Sequence, residues 1–199
     1  MKQHEAFIHN DALVETKSIG EGTRVWRNAH ILPGAVIGKN CNVGEGCYIE
    51  SQVTIGNGVT IKNNVAIWDG TTIEDDVFIG PAVVFTNDLR PRARTIKEPA
   101  LREMLIKKGV TIGANSTLIT GIVIHDCAFV GAGSVVTRNV PAYTIVYGNP
   151  ATFKGLICRC AERIPSGKSA FRCACGLRYE IAGRTVTKSP ASSTPDAGG

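Results

Sequence analysis

Residues 31–61 read ILPGAVIGKNCNVGEGCYIESQVTIGNGVTI, with a large apolar residue at every sixth position. The same period of six runs from Phe7 to Phe85 without a missed step and resumes in a shifted phase from Ile112 to Val136. Gly and Asn, which tolerate positive φ angles, lie between these short Ile- and Val-rich segments and are typical of tight corners. The sequence therefore predicts an all-β chain that winds as a parallel β-helix rather than an α-helical or sandwich fold.

A second column of small or β-branched residues follows each large apolar residue by four positions, and Cys41 and Cys47 belong to it. Both columns are predicted to point inward. About three hexapeptides close one coil of such a solenoid, so residues eighteen apart should stack above one another. Cys41 and Cys47 are therefore expected to be buried structural thiols. Cys127 falls at a corner and has no assigned role.

The 199 residues are enough for one main domain with a small appendage. We expect the solenoid over residues 1–155, with an inserted loop at about 86–108 where the period is interrupted. A cysteine-rich segment follows over 156–187, and the Ser-, Pro- and Gly-rich tail 188–199 is expected to be disordered.

The chain shows neither a secretory leader nor an apolar run long enough to span a membrane, so we expect a cytoplasmic protein. Its thiols should then be reduced. A net charge of +5 and a pI near 8.9 favour an anionic partner such as a nucleotide or coenzyme A, without choosing between them.

The closing segment VGAGSVV at 130–136, followed by GNPA at 148–151, resembles the hexapeptide-repeat acyltransferases, and the resemblance covers residues 7–155. The stretches VAIWDG (65–70), EDDVFIGP (74–81) and FTNDLRPR (85–92) are similar to the subfamily of N-acetyltransferases that act on UDP-2-acetamido-3-amino-2,3-dideoxyglucuronate in surface polysaccharide synthesis. The resemblance implies a left-handed β-helix, acetyl-CoA as co-substrate, and a homotrimer with active sites between neighbouring solenoids. A different nucleotide-linked amino sugar remains an open alternative for the acceptor.

Small residues mark the expected coenzyme A site. Ala114 and Ala132 lie eighteen residues apart, and each follows a glycine. Small side chains there would let a pantetheine chain approach the backbone, although tight solenoid corners alone would also explain them. The residues predicted to bind coenzyme A are Gly113, Ala114, Gly131, Ala132, Gly133, Ser134, Asn149 and Pro150.

The inserted loop is basic. Residues 86–108 contain seven Lys and Arg against three Asp and Glu, a net charge of 7 − 3 = +4. Because arginine makes two-pronged contacts with phosphate, Arg90, Arg92 and Arg94 are predicted to hold the pyrophosphate of the substrate. A charged loop exposed only to water is the alternative.

Stacking by eighteen places Trp68 below Thr86 and Asp69 below Asn87. By resemblance, Asn87 corresponds to the asparagine that holds the sugar near the acetyl donor, and it is the predicted catalytic residue. Trp68 and Asp69 are predicted to contact the acceptor. For Asp69 a structural role is equally open.

Histidine is the usual general base at neutral pH, and His30 and His125 should face outward beside inward aliphatic residues. His30 is also a candidate substrate contact. The resemblance implies that no protein base is needed, because a sugar amine is partly neutral at neutral pH. We therefore expect direct attack by the amine, with either histidine as base the alternative.

Two cysteine pairs, Cys158 with Cys160 and Cys173 with Cys175, predict a small zinc-ribbon-like site. Each pair is separated by one residue instead of the usual two, so free or redox-active thiols remain open.

Other function classes fit less well. A γ-type carbonic anhydrase needs three histidines around one zinc, and only two of the four histidines lie within the regular repeats. A non-catalytic solenoid that binds nucleic acid or a protein partner lacks the interleaved aromatic residues expected for single strands. Nucleic acid is therefore an unlikely partner on sequence grounds.

Overall fold

The computed structural model describes residues 5–94 and 102–188, which contain 26 β-strands and no helix. Within these residues, no helix is long and apolar enough to cross a membrane. The residues wind as a parallel β-solenoid with three faces, and the second face carries seven strands, one for each coil. The predicted all-β solenoid is confirmed.

Each face is a parallel sheet built from every third strand. The first face contains β1 (Phe7–Ile8), β4 (Arg24–Val25), β7 (Asn42–Val43), β10 (Thr60–Ile61), β13 (Phe78–Ile79), β16 (Thr111–Ile112), β19 (Phe129–Val130) and β21 (Thr144–Tyr147). The second contains β2 (Leu13–Val14), β5 (His30–Ile31), β8 (Tyr48–Ile49), β11 (Ala66–Ile67), β14 (Val84–Phe85), β17 (Thr117–Leu118) and β20 (Val135–Val136). The third contains β3 (Ser18–Ile19), β6 (Val36–Ile37), β9 (Thr54–Ile55), β12 (Thr71–Ile73), β15 (Met104–Ile106) and β18 (Val123–Ile124).

The core is the pair of inward columns that the period predicted. Ile31, Ile49 and Ile67 stack at 0% exposure. Cys41 and Cys47 are buried in the small-residue column as predicted, and each thiol lies 3.1 Å from a backbone carbonyl oxygen. Because each coil rests on the next, the apolar interior is continuous along the solenoid.

The first coil departs from the predicted phase. Ile8 pairs with Val25 and Val14 with Ile31, so the inward residues are Ile8 and Val14. Phe7 and Leu13, which the period of six placed in the core, point outward and are 48% and 56% exposed. The inward residues Val14 and Ile19 are five positions apart instead of six. This shortening by one residue compensates for the shift in the first coil, so the period of six from Phe7 looks uninterrupted in the sequence.

The inserted loop is also shorter than predicted. Ile73 pairs with Ile106, 33 residues later, where an uninterrupted coil would need 18, so the insertion amounts to 33 − 18 = 15 residues. The regular coils therefore resume at Met104, and not after residue 108, because Met104 and Ile106 are buried in the core. The segment 95–101, including Lys97 and Glu98, lies outside the described residues.

The C-terminal segment is built onto the last coil. Strand β22 (Thr152–Ile157) pairs antiparallel with β21, and β23 (Arg163–Ile164) pairs with β22. A separate three-stranded sheet follows, formed by β24 (Ala170–Arg172), β25 (Arg178–Ala182) and β26 (Thr185–Lys188). Its small core includes Cys158, Cys173 and Tyr179. The expected disordered tail after residue 188 lies outside the described residues.

Candidate functional site

Three corners connect the faces, and two of them carry the predicted site residues. The first corner, between the first and second faces, contains residues 80–82, 113–115 and 131–133 in successive coils. The second corner, between the second and third faces, contains Trp68 and Asn87. The predicted donor and acceptor residues therefore lie on either side of the second face.

The glycines of the first corner have a structural reason of their own. A Cβ added at Gly113 would overlap the backbone of Ala132, and one added at Gly131 would lie 2.8 Å from the Cβ of Tyr147. The coils thus stack too closely here for a side chain. Ala114 is half-buried, while Ala132 and Gly133 are exposed at the surface of the corner. Their contact with coenzyme A remains a prediction.

Ser134 differs from the other predicted coenzyme A residues. Its side chain is 0% exposed and its hydroxyl donates to the carbonyl oxygen of Gly131. Any contact of Ser134 with a cofactor would have to use its backbone, because its side chain belongs to the inward column. Asn149 and Pro150 are exposed in the turn after β21, beside the last coil.

Asn87 has a fixed backbone support and an available side chain. The hydroxyl of the preceding Thr86 lies 3.1 Å from the carbonyl oxygen of Leu118 and accepts the N–H of Thr120 at 2.9 Å. One coil below, the Trp68 indole N–H donates to the carbonyl oxygen of Phe85 at 2.7 Å. Asn87 is half-buried, and its amide has no hydrogen-bond partner among the described residues. Among the described residues, nothing occupies this amide, and its role in binding a ligand remains a prediction.

Asp69 forms hydrogen bonds with other residues of the second corner. Its carboxylate accepts the Gln52 N–H at 2.7 Å, and its own N–H donates to the Glu50 carboxylate at 2.7 Å. The two carboxylates tie two successive coils together. The structural alternative left open for Asp69 is therefore supported, and one of its oxygens is already occupied.

His30 belongs to an aromatic column on the second face. Its Nε2 lies 2.8 Å from the Glu15 carboxylate, and its ring lies 5.5 Å from Tyr48, which lies 5.7 Å from Trp68. His30 thus lies two coils below the strand that carries Ala66, and more than two coils below Asn87. His125 follows β18 at the third corner. Neither histidine adjoins Asn87 within this chain.

The described arginines of the loop are exposed and close to its root. Arg90 donates its backbone N–H to Asp88 at 2.8 Å, and the Arg92 guanidinium contacts only the adjacent carbonyl oxygen of Pro91. Arg90, Arg92 and Arg94 have no carboxylate within 4.0 Å among the described residues. Binding of an anion by these three guanidinium groups remains a prediction.

Lys107 and Lys108 do not belong to the loop as predicted. Lys107 lies 3.2 Å from Glu74, and Lys108 lies 3.3 Å from Asp75, so both pair within the resumed coils. Without them, residues 87–103 carry five basic and three acidic residues, a net charge of 5 − 3 = +2. The predicted +4 was too high because the loop ends earlier.

The two sets of residues are not brought together within one chain. Ala82 and Asn87 lie in the same coil, with the strand Val84–Phe85 between them. At about 3.3 Å per residue, the five-residue separation spans roughly 15 Å. The predicted coenzyme A residues and Asn87 are therefore separated by the width of the second face within one chain.

A groove missed by the sequence reasoning runs along the first corner toward the N-terminus. It encloses about 580 Å³ and lies below the glycine-rich part of the corner. Its Lys62 side chain has no ion-pair partner among the described residues, while Arg27 pairs with Asp11 at 3.0 Å. The lining residues are His9, Trp26, Arg27, Asn42, Glu45, Lys62 and Asn63. Their eighteen-residue spacing was visible in the sequence and could have indicated them.

Cys127 occupies a corner position with φ of 54°, and burial raises the pKa of its thiol. Since the thiolate is the nucleophile, burial disfavours the reactive form of this side chain. The four other C-terminal cysteines form a cluster in which every sulfur lies within 4.8 Å of the others, so the cluster could hold a metal ion.

Comparison with known proteins agrees with this architecture. The profile of the bacterial transferase hexapeptide family (six repeats) matches residues 16–51, 52–87 and 104–138. The chain is 50% identical over 182 residues to dTDP-3-amino-3,6-dideoxy-alpha-D-galactopyranose 3-N-acetyltransferase from Aneurinibacillus thermoaerophilus, covering 92% of this chain and 94% of that protein.

Two solved structures are also similar. A hexapeptide-repeat containing acetyltransferase from Vibrio cholerae O1 biovar eltor, complexed with acetyl coenzyme A, is 32% identical with a TM-score of 0.55, covering 62% of this chain and 70% of that one. An aspartate-to-asparagine variant of the Bacillus cereus N-acyltransferase AntD, complexed with dTDP and coenzyme A, is 20% identical with a TM-score of 0.58, covering 77% and 82% of the two chains. At 20% identity, the similarity to the second structure shows a shared fold alone. Repeat, solenoid and near full-length identity together show that this chain belongs to the bacterial transferase hexapeptide family.

Proposed function

We propose that this protein transfers acetyl from acetyl-CoA to the 3-amine of a nucleotide-linked 3-amino sugar. The observation that carries the proposal is the 50% identity, over almost the full length of both chains, to an enzyme named as a 3-N-acetyltransferase of such a sugar. The corners of the solenoid provide a consistent place for both substrates. The product would be a precursor for bacterial surface polysaccharide.

The donor lies along the upper part of the first corner. Gly113 is one coil above the level of Asn87, Gly131 is two coils above it, and the turn with Asn149 and Pro150 follows. With successive coils about 4.8 Å apart, this column extends for roughly 15 Å along the axis. Exposed backbone at Ala132 and Gly133 gives a pantetheine chain a surface without side chains to displace.

The acceptor enters from the opposite end of the same corner. The groove below Pro81 presents Lys62 one coil down and the Trp26 and Arg27 pair three coils down. Lys62, which has no ion-pair partner among the described residues, would bind a phosphate, and Trp26 offers a flat apolar surface for a base. Donor and acceptor would then meet at the level of Pro81, with the loop arginines of a neighbouring chain nearby.

The proposed assembly is a homotrimer with the second face turned toward the threefold axis. Leu13, Tyr48, Ala66 and Val84 make the outer side of that face largely apolar, and Leu13 and Val84 are 56% and 50% exposed. Around a threefold axis, the second corner of one copy approaches the first corner of the next. Such an arrangement places Asn87 beside the donor and acceptor of its neighbour and completes a site that one chain leaves open.

The chemistry needs a neutral amine, a held thioester and a stabilised tetrahedral intermediate. The amine nitrogen attacks the thioester carbonyl carbon, the C–S bond breaks, and coenzyme A leaves as the thiol after taking up the proton lost by the amine. The Asn87 side-chain oxygen would accept an N–H of the amine and orient its lone pair. No histidine is assigned to the step, because His30 is paired with Glu15 and His125 lies at another corner.

The acceptor is proposed to be a dTDP-3-amino-3,6-dideoxyhexose rather than the UDP-linked 3-amino-glucuronate suggested by the sequence stretches. Both sugars carry the reactive amine at carbon 3, and the full-length relative is named for the dTDP-linked sugar. They differ in the nucleobase, in the group at carbon 2 (hydroxyl or acetamido), in the configuration at carbon 4, and in the carboxylate that only the uronate carries at carbon 6. A uronate would need a cation beside carbon 6 that the deoxy sugar does not need.

The experiment is thiol release from acetyl-CoA with a matched panel of acceptors. The panel contains dTDP-3-amino-3,6-dideoxygalactose, its 4-amino isomer, and UDP-2-acetamido-3-amino-2,3-dideoxyglucuronate. We expect rapid turnover with the first and little with the 4-amino isomer. Turnover only with the uronate would support the proposed N-acetyltransferase activity but refute the dTDP-linked sugar as the acceptor. No thiol release with any acceptor in the panel, together with tight binding of an oligonucleotide or a protein, would refute the proposed acetyltransferase activity.

A further inference from the structure

We propose that Cys158, Cys160, Cys173 and Cys175 bind one structural zinc ion that holds the C-terminal module on the last coil of the solenoid. This site is separate from the proposed acetyl transfer, which uses none of these residues. Three features support the site: the positions of the four sulfurs, the turns that present them, and the small core around them.

The sulfur positions fit a tetrahedral thiolate site. The sulfur pairs Cys158–Cys160, Cys158–Cys175 and Cys160–Cys173 are each 3.5 Å apart, and all four sulfurs lie within 4.8 Å of one another. Four thiolates at a Zn–S distance of about 2.3 Å would be about 3.8 Å apart in a regular tetrahedron. The four thiols therefore already surround a volume that one zinc ion would fill.

The one-residue spacing, which departs from the usual zinc knuckle, is explained by the turns. In the first turn the Cys158 N–H donates to the carbonyl oxygen of Glu162, and the Ala161 N–H donates to that of Cys158. Ala161 has a φ of 70°. This turn brings the Cys160 sulfur to 3.5 Å from the Cys158 sulfur.

The second turn repeats the first. The Cys173 N–H donates to the carbonyl oxygen of Leu177, and the Gly176 N–H donates to that of Cys173. Gly176 has a φ of 89°. The two turns thus share the same pair of backbone hydrogen bonds and a residue with positive φ, and each presents two sulfurs to one cluster.

A tyrosine completes the surroundings of Cys158. The Tyr179 hydroxyl lies 3.1 Å from the Cys158 sulfur, and its oxygen accepts the Arg159 N–H at 3.1 Å. Because the oxygen is already an acceptor, its hydrogen is free to be donated to the sulfur. Tyr179 is only 1% exposed, so this contact is built into the module.

The module has only a small core of its own. Residues 156–188 number 33, and their core has six buried residues, of which Cys158 and Cys173 are two. Segments below about 40 residues rarely form a stable core without a metal or disulfides. Seven basic residues against two acidic ones also favour the net negative charge of a tetrathiolate zinc site.

The module is continuous with the end of the solenoid. Thr144 pairs with Leu156, and the Ile157 N–H donates to the carbonyl oxygen of Tyr143, whose ring lies 5.4 Å from Tyr179. Loss of the metal should therefore loosen β22 and the strands after it, while the inner coils keep their own core.

The test is the metal content of the full chain purified under reducing conditions without added metal. We expect about one zinc per chain, as for a four-thiolate site. Cys175→Ser should lose the zinc, while Cys127→Ser, which also removes a thiol but lies outside the cluster, should retain it. Cysteine 175 is exposed, so its loss leaves the core packing in place.

Two further measurements keep the proposal open to refutation if Cys175→Ser folds poorly. Cobalt exchanged into the unmodified chain should give the charge-transfer and visible bands of a tetrahedral thiolate site. Zinc removal by a chelator should increase hydrogen exchange in residues 152–188 and leave residues 24–136 protected. Four titratable thiols without zinc, a mass lower by four hydrogens from two disulfides, or iron in place of zinc would each overturn the assignment.

Discussion

Replacement of Asn87 by alanine separates a chemical role from a structural one. The Asn87 amide has no partner among the described residues, and its backbone position is fixed by Thr86, so the replacement should leave the melting temperature nearly unchanged. The amine gains positive charge as it attacks the thioester. A hydrogen bond from such a group to the amide oxygen should stabilise the transition state by about 1.5–3 kcal/mol.

At 1.36 kcal/mol per tenfold change in rate, this corresponds to a loss of kcat of about 10- to 150-fold. The assay is steady-state thiol release with saturating acetyl-CoA and a varied acceptor. Gln52→Ala is the matched control, because Gln52 carries the same amide group, is exposed, and lies at the same corner two coils away. An unchanged kcat in Asn87→Ala, or a loss confined to KM, would refute the orienting role.

Three further changes test the acceptor groove and the forces that hold the coils. Lys62→Ala should raise the KM for the nucleotide sugar about tenfold, as expected for one charge-assisted phosphate contact, and leave the KM for acetyl-CoA unchanged. Thr23→Val should lower the free energy of unfolding by about 2–3 kcal/mol in urea titrations, because the buried hydroxyl donates to Gly38 and accepts the Cys41 N–H. Asp75 has a lowered pKa, caused first by its bond from a backbone N–H and then by its lysine partner, so its stabilisation is complete above the ordinary carboxyl pKa of about 3.9 and is lost as pH falls through the lowered value. The melting temperatures of Asp75→Asn and the unmodified chain should therefore differ at pH 6 and converge toward pH 2.

Each of these predictions has a control or a contrary result. Lys17→Ala removes an exposed lysine from outside the groove and should change neither KM, and an equal rise in both KM values would refute a nucleotide contact for Lys62. Thr60→Val changes a threonine on the outer side of β10 and should alter stability by less than about 0.5 kcal/mol. Melting curves of Asp75→Asn that stay parallel to those of the unmodified chain at every pH would contradict the assigned pKa.

The period of six was sufficient to predict the solenoid, its inward columns and the buried Cys41 and Cys47. The signal is strong because every hexapeptide has to bury one aliphatic residue and turn one corner, so the same demand is repeated in each coil. The structure departs from the predicted period where a coil does not have to bury an aliphatic residue at that position. The first coil has no neighbour below it, so Phe7 and Leu13 could point outward without any loss that the sequence would register.

The roles of charged residues were harder to read than the core. Lys107 and Lys108 looked like loop residues, but pairing with Glu74 and Asp75 depends on where the chain re-enters the coil. Asp69 shared its place in the polar column with Asn87, and only the coordinates show that the Asp69 carboxylate accepts a backbone N–H while the Asn87 amide has no partner among the described residues. The groove around Lys62 went unnoticed because its residues come from four separate coils.

The sequence by itself determined the fold, the family resemblance and the four-cysteine cluster, since each depends on a regular spacing along the chain. The tertiary structure alone decided which side chains are free to bind a ligand, because that depends on contacts between coils eighteen or thirty-three residues apart. It also placed Asn87 and the glycine-rich corner on opposite sides of one face. Local spacing along the chain determines the strands, the corners and the inward or outward direction of each residue. Stacking of the coils determines which polar groups already have a partner.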